Sequence, residues 1–365
     1  MLTSRRAFLQ TIPLGAAALG AAETEPAASE LSAMDAVVDA FMEAHQVPGM
    51  SVAVAKRGAL VHAKAYGMAD RDRGERLTSG HLFRIASVSK PITSVAVFQL
   101  IEQGKLNLDD RVFGPGAILG TDFGKPPFAP HVAEIRLRHL LTHTAGGWQN
   151  DGSDPMFQHL DMDHRQLIAW TIEHQPLNNA PGEHYAYSNF GYCVVGRIIE
   201  KVTGKPYDQH VRDAVLARCA VSDMRIGGNT RAQRARGEVI YYAANGEDAY
   251  DMRVDRMDSH GGWLATAPDL VRFGTHLEML RPQSIAQMTT ASAANPGYAC
   301  GWAVNRVPNW WHTGSLPGTT SILVRTASGF CWSALLNTRE GNGETGGALD
   351  GMMWEMVRKV KSWNA

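Results

Sequence analysis

The sequence has no excess of charge of either sign, since its 365 residues include 35 Lys plus Arg and 36 Asp plus Glu. A protein with this balance lacks the positive surface that neutralises phosphates, so nucleic acid is not an expected partner. No apolar run reaches the roughly 20 residues that a membrane-spanning helix needs, and no repeat or low-complexity segment occurs. With 44% hydrophobic and 19% charged residues, the composition is that of a folded protein with a large core.

Cysteine is also scarce. The four residues, Cys193, Cys219, Cys300 and Cys331, are widely spaced and form no CxxC motif. Four cysteines allow three fully paired connectivities, and the sequence does not select one. A core of this size needs no disulfides, which favours buried free thiols that behave as small apolar groups.

Metal-binding motifs are missing as well, because neither an HExxH nor an HxHxDH string occurs. His139 and His143 lie four residues apart, a spacing that could bind one metal ion from a helix. The simpler interpretation is that both hydrogen-bond within a helix and the turn after it. We therefore expect no metal and no other cofactor.

The N-terminus is typical of an export signal. Arg5 and Arg6 precede an apolar stretch at residues 7–22 and a region of small residues. The string SRRAFLQ resembles the twin-arginine export signal. An uncleaved membrane anchor is the alternative, but the stretch is short and Pro13 interrupts it. We expect residues 1–22 to be removed on export to the periplasm or the medium, residues 23–31 to form a disordered lead-in, and no stable membrane span after processing.

Strand-like patterns lie at both ends of the chain and helical patterns lie between them. Ser32 is a plausible N-cap for the first helix. The predicted helices cover residues 32–45, 86–103, 163–174, 192–202 and about 348–362, and the predicted strands cover residues 50–56, 60–66, 301–305, 320–326 and 330–337.

Because strand and helix do not alternate, a doubly wound parallel sheet is a poor fit. The pattern predicts an α/β protein of the α+β type. In it, an antiparallel sheet from both chain ends is flanked by helices, and an all-helical region at about residues 105–270 is inserted into a domain that spans residues 32–365.

The string SVSK at residues 87–90 is the first of three motifs that carry chemistry. On a helix, Ser87 and Lys90 share one face, so the amine is near enough to take the hydroxyl proton. An amine that burial keeps neutral can act as this base, and a helix N-terminus favours the negative charge that develops. Taken alone, an SxxK string more often belongs to a surface helix.

The second motif is YSN at residues 187–189, and the third is HTGS at residues 312–315. If a neighbouring cation lowers its pKa, the phenol of Tyr187 can relay protons, and the amide of Asn189 can contact a substrate carbonyl. Gly314 would let substrate lie close to a strand edge, and the Ser315 N–H could join that of Ser87 as an oxyanion hole. Each motif alone has a structural explanation: a packed Tyr, a turn Asn and a structural His312.

The order of these three motifs resembles that of the serine β-lactamase and penicillin-binding DD-peptidase superfamily. The similarity is to the branch of class C β-lactamases, D-alanyl-D-alanine carboxypeptidases and related esterases. Flanking strings such as VPGMSVAVAKRG, QGKLNLDDRV and GGWLATAPDLVRF extend it over residues 33–361.

The resemblance implies a fold compatible with the one that the patterns predict, with the active site between the sheet and the helical region. It also implies that Ser87 is the acylated nucleophile, that Lys90 is its base, that Tyr187 shuttles protons and that Asn189 contacts the acyl amide. At the third motif, His312 replaces the lysine of typical β-lactamases and matches the HTG form of some DD-peptidases and esterases. This replacement disfavours β-lactamase activity.

The resemblance implies an exported serine hydrolase that acts on D-amino-acid peptides or β-lactam-like amides, or a carboxylesterase. A non-catalytic penicillin-binding sensor, which acylates and stops, is the alternative from another class. No ExxLN string stands in register, so class A chemistry is not expected. The expected partner is a small-molecule or peptide substrate, and the sequence indicates neither which one nor the oligomeric state.

Overall fold

The structure is a computed structural model, and it describes residues 26–244, 246–339 and 345–363. The export segment expected at residues 1–22 lies outside these ranges.

The helices of the described ranges pack on one large sheet and around its edges. They are α1 (Ala28–Ala44), α2 (Ser89–Glu102), α3 (Leu137–Leu141), α4 (Pro155–Gln158), α5 (His164–His174), α6 (Asn189–Thr203), α7 (Tyr207–Ala214), α8 (Ala267–Thr275), α9 (Pro282–Met288) and α10 (Thr345–Arg358).

The strands come from both ends of the chain and, in short pieces, from its middle. They are β1 (Gly49–Lys56), β2 (Ala59–Asp70), β3 (Glu75–Arg76), β4 (Phe83–Arg84), β5 (Arg225–Ile226), β6 (Tyr242–Ala243), β7 (Trp263–Ala265), β8 (Ala303–Val304), β9 (Trp310–Leu316), β10 (Thr319–Arg325), β11 (Phe330–Leu336) and β12 (Thr338–Arg339).

Seven of these strands form one antiparallel sheet, in the order β3-β2-β1-β11-β10-β9-β8. At its centre β1 pairs with β11, in a register that joins Met50 to Leu336. The β-branched and aromatic residues of these two strands suit a sheet that is covered on both faces. The predicted antiparallel sheet from both chain ends is thus confirmed.

The two faces of the sheet pack against different layers, because successive side chains of a strand point to opposite sides. Val52 and Val54 pack in the layer formed by α1 and α10. Ala53 and Ala55 pack in the larger core, which includes α8 and the helical region. Small side chains on this face let α8 lie close to the sheet: a Cβ at Gly274 would sit 2.6 Å from the Cys331 sulfur.

The start of the first helix differs from the prediction. The helix α1 begins at Ala28, so residues 28–31 are helical rather than a disordered lead-in, and Ser32 is not its N-cap. Residues 28–31 contain neither Gly nor Pro, and Leu31 packs against the core layer of α1 and α10. The helix therefore extends by one turn.

The inserted region also differs, because it is not all helical. It contributes β5, β6 and β7, which are each two or three residues long. The strand expected at residues 301–305 shortens to β8, and the helix expected from residue 86 begins as a 3₁₀ turn, Ala86–Val88, before α2. Such short pairings carry too little hydrophobic alternation to be recognised in a sequence.

The structure also shows the state of the cysteines and the apolarity of the helices. The four cysteines are buried and unpaired with one another, as predicted. Among the helices of the described ranges, none combines the length and apolarity that crossing a bilayer requires.

Candidate active site

Ser87 lies in the 3₁₀ turn before α2, and the sheet holds this turn from behind. The Thr319 and Ser321 hydroxyls of β10 donate to the carbonyl oxygens of Arg84 and Ile85, at 2.9 and 2.7 Å. Ala86, next to the serine, has a φ of 46°, a left-handed conformation that costs energy in a residue other than glycine. The fold therefore fixes the backbone that leads into Ser87.

Gly314 of β9 is explained by the same packing. A Cβ at this position would lie 2.2 Å from the Ile85 carbonyl oxygen and 3.1 Å from the Ala86 Cβ. Only a glycine lets β9 pass this close to the turn that carries Ser87. In this structure Gly314 faces the turn that carries Ser87, whereas the sequence predicted that Gly314 would let substrate lie close to the strand edge.

Lys90 has three neighbours around its amine. Its Nζ lies 3.0 Å from the Ser87 Oγ, 2.8 Å from the Asn189 Oδ1 and 3.1 Å from the His260 carbonyl oxygen. The amide and carbonyl oxygens only accept hydrogen bonds, so they use the two N–H bonds of a neutral amine. The lone pair of that amine then points at the Ser87 hydroxyl.

The charge state of Lys90 follows from its burial. The side chain is fully buried, and desolvation lowers its pKa well below the ordinary value, while the nearby Asp154 carboxylate acts in the opposite direction. Burial also raises the pKa of Asp154 to about 6, although the bonds it accepts from Asn189 and from the Met156 N–H oppose this. Both groups are thus displaced toward neutrality.

Asn189, the first residue of α6, connects these two groups. Its Oδ1 accepts from Lys90, and its Nδ2 donates to the Asp154 Oδ2 at 2.9 Å and to the Asn150 Oδ1 at 3.0 Å. The Ser188 hydroxyl caps α6 by accepting from the Gly191 N–H at 2.9 Å. The amide of Asn189 is therefore oriented from both ends.

Tyr187 lies on the other side of Lys90, whose Nζ is 4.7 Å from the centre of the Tyr187 ring. The expectation that a cation lowers the Tyr187 pKa is wrong, because desolvation raises that pKa and the hydrogen bond with Ser87 opposes it only in part. Tyr187 is consequently a neutral phenol at ordinary pH.

His312 is buried behind Tyr187 and does not point a free nitrogen into solvent. Its Nδ1 lies 2.6 Å from the Thr313 carbonyl oxygen, and its Nε2 lies 3.0 Å from the Tyr298 hydroxyl. Burial lowers the His312 pKa to about 3, with a smaller contribution from Lys90. The residue therefore stays neutral at ordinary pH.

His143 is used in the same cluster, and the expectation that it bonds only within its helix and turn is wrong. Its Nδ1 accepts from the Ser188 N–H at 3.1 Å, and its Nε2 lies 3.1 Å from the Tyr298 hydroxyl. His139 instead accepts from the Arg136 N–H at the start of α3. Within the described ranges, no group of three His, Cys, Asp or Glu side chains is placed to hold a metal ion.

Two cavities meet at Ser87, Asn150 and Ser315. We name the first the Tyr187 lobe; it has a volume of about 360 Å³, and its lining includes Tyr187, Tyr298, Trp311, His312 and Thr313. We name the second the Glu247 lobe; it has a volume of about 300 Å³, and its lining includes Phe157, Asn189, Glu247, His260 and Arg339. Of the two, only the Glu247 lobe is lined by charged side chains, among the residues described: Arg339 and Glu247 form an ion pair there.

The structure thus brings Ser87, Lys90, Tyr187, Asn189, His312 and Ser315 around one pair of cavities. Sequence analysis missed Asn150, Asp154 and Tyr298. The pair Asp154-Pro155 carries the signal of a helix start, and Asp154 indeed caps α4 by accepting from the Met156 N–H. Nothing in the sequence links Tyr298 to the motifs.

Comparisons with known proteins agree with this geometry. The family model described as "Beta-lactamase" matches residues 34–351. Esterase EstB of Burkholderia gladioli is 31% identical over 263 residues, which are 67% of this chain and 64% of the esterase, just under two thirds of its length. Penicillin-binding protein 4 of Amycolatopsis lactamdurans is 29% identical over 82% of this chain and 83% of its own length.

Solved structures show the same fold. D-amino acid amidase from Ochrobactrum anthropi SV3, in complex with L-phenylalanine amide, has a TM-score of 0.75 at 23% identity and covers 91% of this chain and 98% of its own. The octameric penicillin-binding protein homologue from Pyrococcus abyssi has a TM-score of 0.73 at 20% identity and covers 90% and 79%. Together with the family match over most of the sequence, these findings establish that the chain belongs to the beta-lactamase family.

Proposed function

We propose that this protein is a serine hydrolase that forms an acyl-enzyme on Ser87. The observation that carries the proposal is the placement of the Lys90 amine, which has two acceptors for its N–H bonds and the Ser87 hydroxyl in the remaining direction. A buried amine with a lowered pKa in this position is a general base for the serine.

The reaction proceeds in two steps, acylation of Ser87 and hydrolysis of the acyl-enzyme. The Ser87 oxygen bonds to the substrate carbonyl carbon, Lys90 takes the hydroxyl proton, and the proton passes through Lys90 and Tyr187 to the leaving oxygen or nitrogen as its bond to carbon breaks. Water then attacks the acyl-enzyme, with Tyr187 and Lys90 taking its proton and returning one to Ser87. The backbone N–H groups of Ser87 and Ser315 form the oxyanion hole in this scheme.

The substrates we propose are esters and amides, with D-amino-acid peptides and β-lactam-like amides among them. The names of the relatives, an esterase, a penicillin-binding protein and a D-amino acid amidase, support this range. A carboxylesterase is the second candidate, and the uncharged lining of the Tyr187 lobe favours it. In both, Asn189 contacts the acyl part.

The experiment is to incubate the protein with a short-chain p-nitrophenyl ester, a chromogenic cephalosporin and a D-Ala-D-Ala peptide, and to follow both product release and protein mass. We expect an acyl group on the peptide that contains SVSK, and turnover with at least one substrate. Ser87→Ala should lower kcat by several orders of magnitude, because only binding and the oxyanion hole remain.

Ser89→Ala is the matched control. Ser89 is also buried at the start of α2, and its hydroxyl has no hydrogen-bond partner in the structure. Its loss should leave kcat almost unchanged. Labelling at another residue, or full activity of Ser87→Ala, would refute the proposal, while labelling without product release would identify a sensor that acylates and stops.

We also propose that the protein is exported, on the basis of the twin-arginine-type segment at residues 1–22. Mass spectrometry of the protein isolated from the host periplasm or medium should find an N-terminus near residue 23. Replacement of Arg5 and Arg6 by lysine should retain the precursor in the cytoplasm. An uncleaved chain in the membrane fraction would instead favour the anchor.

A further inference from the structure

The position of Tyr187 indicates which cavity receives the leaving group. The proton on its way to the leaving atom passes through Lys90 and Tyr187 in the proposed mechanism, so the leaving group must lie on the Tyr187 side of Ser87. Tyr187 lines the Tyr187 lobe, whereas Asn189 lines the Glu247 lobe. The acyl part of the substrate therefore extends into the Glu247 lobe.

Hydrogen bonds behind the Tyr187 lobe fix the tautomers of His143 and His312. The Thr313 carbonyl only accepts, so the His312 Nδ1 carries the proton and its Nε2 accepts from Tyr298. The Ser188 N–H only donates, so the His143 Nδ1 is unprotonated and its Nε2–H donates to Tyr298. The Tyr298 hydroxyl thus accepts from one histidine and donates to the other.

A proton added to either ring would break this chain. A protonated His312 would direct an Nε2–H at the Tyr298 hydroxyl, whose own hydrogen points at the same nitrogen, so the Tyr298 O–H would have to turn away and lose its acceptor. All three side chains are at least nine-tenths buried, so water does not stabilise an added charge. The low His312 pKa, about 3, agrees with this geometry.

The other groups that face His312 do not supply a lasting charge. Burial raises the pKa of each surrounding phenol, so the phenols remain neutral at ordinary pH, and desolvation lowers the pKa of Lys90, which disfavours its charged form. The phenols are Tyr185, Tyr187, Tyr192 and Tyr298. No Lys or Arg lines the Tyr187 lobe among the residues that the structure describes.

We propose that the Tyr187 lobe accepts only uncharged leaving groups, such as the alcohol of an ester or a simple amine, and that Tyr298 is the positioning residue that keeps its two histidines neutral. This inference rests on the proposed acyl-enzyme function and narrows its substrates. A D-alanine leaving group carries a carboxylate, which would be desolvated in this lobe without a cationic partner.

Two esters with the same acyl group test the selection by charge. They are 3-carboxyphenyl acetate and its neutral counterpart 3-carbamoylphenyl acetate, whose leaving groups have similar shapes. We expect kcat/KM to favour the neutral ester by about tenfold or more, with no change in this ratio between about pH 5 and about pH 8, because His312, whose pKa is lowered to about 3, does not titrate there.

Tyr298→Phe tests the positioning role. Without the hydroxyl, the His312 Nε2 loses its donor and can take a proton as the pH falls. The ratio should then shift toward the carboxylate ester at low pH, and ¹⁵N NMR should show His312 leaving its single Nδ1–H tautomer. Tyr185→Phe is the control, because Tyr185 has ring contacts with His143 and Tyr298, while its hydroxyl has no hydrogen bond to these two side chains among the residues described; it should leave both readouts unchanged.

Thr313→Lys supplies a second, independent variant if Tyr298→Phe does not fold. Thr313 is exposed and lines the same lobe, so a lysine there adds a permanent cation without touching the histidines. We expect the preference for the neutral ester to shrink by about tenfold. Equal kcat/KM for both esters in the unmodified protein would overturn the inference while leaving the acyl-enzyme proposal intact, and failure of both esters to label Ser87 would overturn the acyl-enzyme proposal itself.

Discussion

The two lobes that meet at Ser87 handle charge in opposite ways. On the Glu247 side, Asn189 joins the cavity to a buried carboxyl, Asp154, and the rim carries the ion pair of Glu247 and Arg339. On the Tyr187 side, two histidines and a tyrosine satisfy one another and stay neutral. In the proposed mechanism the same base serves both sides, so the charged side chains of the described residues line the lobe proposed for the acyl group and are absent from the lobe proposed for the leaving group.

Removing the shared base should have the largest effect, and this effect should not depend on the leaving group. We expect Lys90→Met to lower kcat by about 10³-fold, since general base catalysis supplies about 10² to 10⁴. Because Lys90 takes and passes on the same proton whichever ester is bound, the neutral and the carboxylate ester should lose the same factor. Parallel kinetics with both esters measure this.

Lys105→Met is the control for this change, because Lys105 is an exposed lysine just beyond the end of α2. It should retain full activity. Unequal losses for the two esters in Lys90→Met would mean that Lys90 also binds one of the leaving groups.

Asp154→Asn should have the second-largest effect on kcat, and it acts on the Glu247 side. An asparagine has one acceptor where Asp154 uses two, so Asn189 would turn its amide and present Nδ2 to Lys90. We expect kcat to fall about 10 to 100-fold for both esters. The acidic limb of the pH–rate profile should move to lower pH, because the carboxylate that raises the Lys90 pKa is gone.

Asp151→Asn provides the comparison for Asp154→Asn. Asp151 is an exposed neighbour whose hydrogen bonds stay within its own loop. A similar loss of kcat in both variants would show that the loop, and not the link to Asn189, matters.

The neutrality of the Tyr187 side should appear in the pH dependence of stability. The folded-state pKa of His312 is lowered to about 3, whereas an unfolded histidine titrates near about 6.5. Stability from this group is present above about pH 6.5 and is lost as the pH falls below it, by about 2 kcal/mol at pH 5. Asp154 has the opposite sign, since its raised pKa lowers stability as the pH rises toward about 6.

Thermal unfolding of the unmodified protein and of His312→Gln at pH 7 and pH 5 isolates the histidine contribution. Glutamine can still donate to the Thr313 carbonyl and accept from Tyr298, but it does not titrate. The variant should lose less stability on acidification. Identical pH dependence of the two proteins would contradict a neutral, buried His312.

The smallest effect is expected at the rim of the Glu247 lobe. Glu247→Gln leaves Arg339 without its partner, so an acyl group that carries a carboxylate, such as succinyl, should gain up to about fivefold in kcat/KM relative to acetyl. Half-exposed ion pairs are worth about 1 kcal/mol or less, which sets this limit. Glu355→Gln breaks an exposed ion pair between α10 and Lys359, the residue that follows it, and should leave the ratio unchanged.

The sequence predicts the site residues that lie close to one another in the chain. Ser87 and Lys90 are three residues apart, and Tyr187 and Asn189 flank a helix N-cap, so each pair can be recognised without the fold. The antiparallel sheet is likewise visible in the strand patterns of both ends. These predictions depend on neighbours in the chain.

The residues that sequence analysis missed or misjudged depend on distant partners. Tyr298 meets His143 from more than 150 residues away, and Asp154 reaches Lys90 only through Asn189. The pKa expected for Tyr187 was wrong for the same reason, since burial, which no motif encodes, decides the pKa of Tyr187 and of His312. Long-range packing overrides the ordinary properties of these side chains.

The pairing of β1 with β11 has a consequence for how the chain reaches its native state. Met50 leaves the ribosome 286 residues before its cross-strand neighbour Leu336 (336 − 50). The central ladder therefore has a very high contact order, and the entropy of closing so long a loop must be offset before the sheet gains its middle pair. During that interval β1, an almost wholly buried strand, has one unpaired edge, which makes a nascent or truncated chain prone to aggregate.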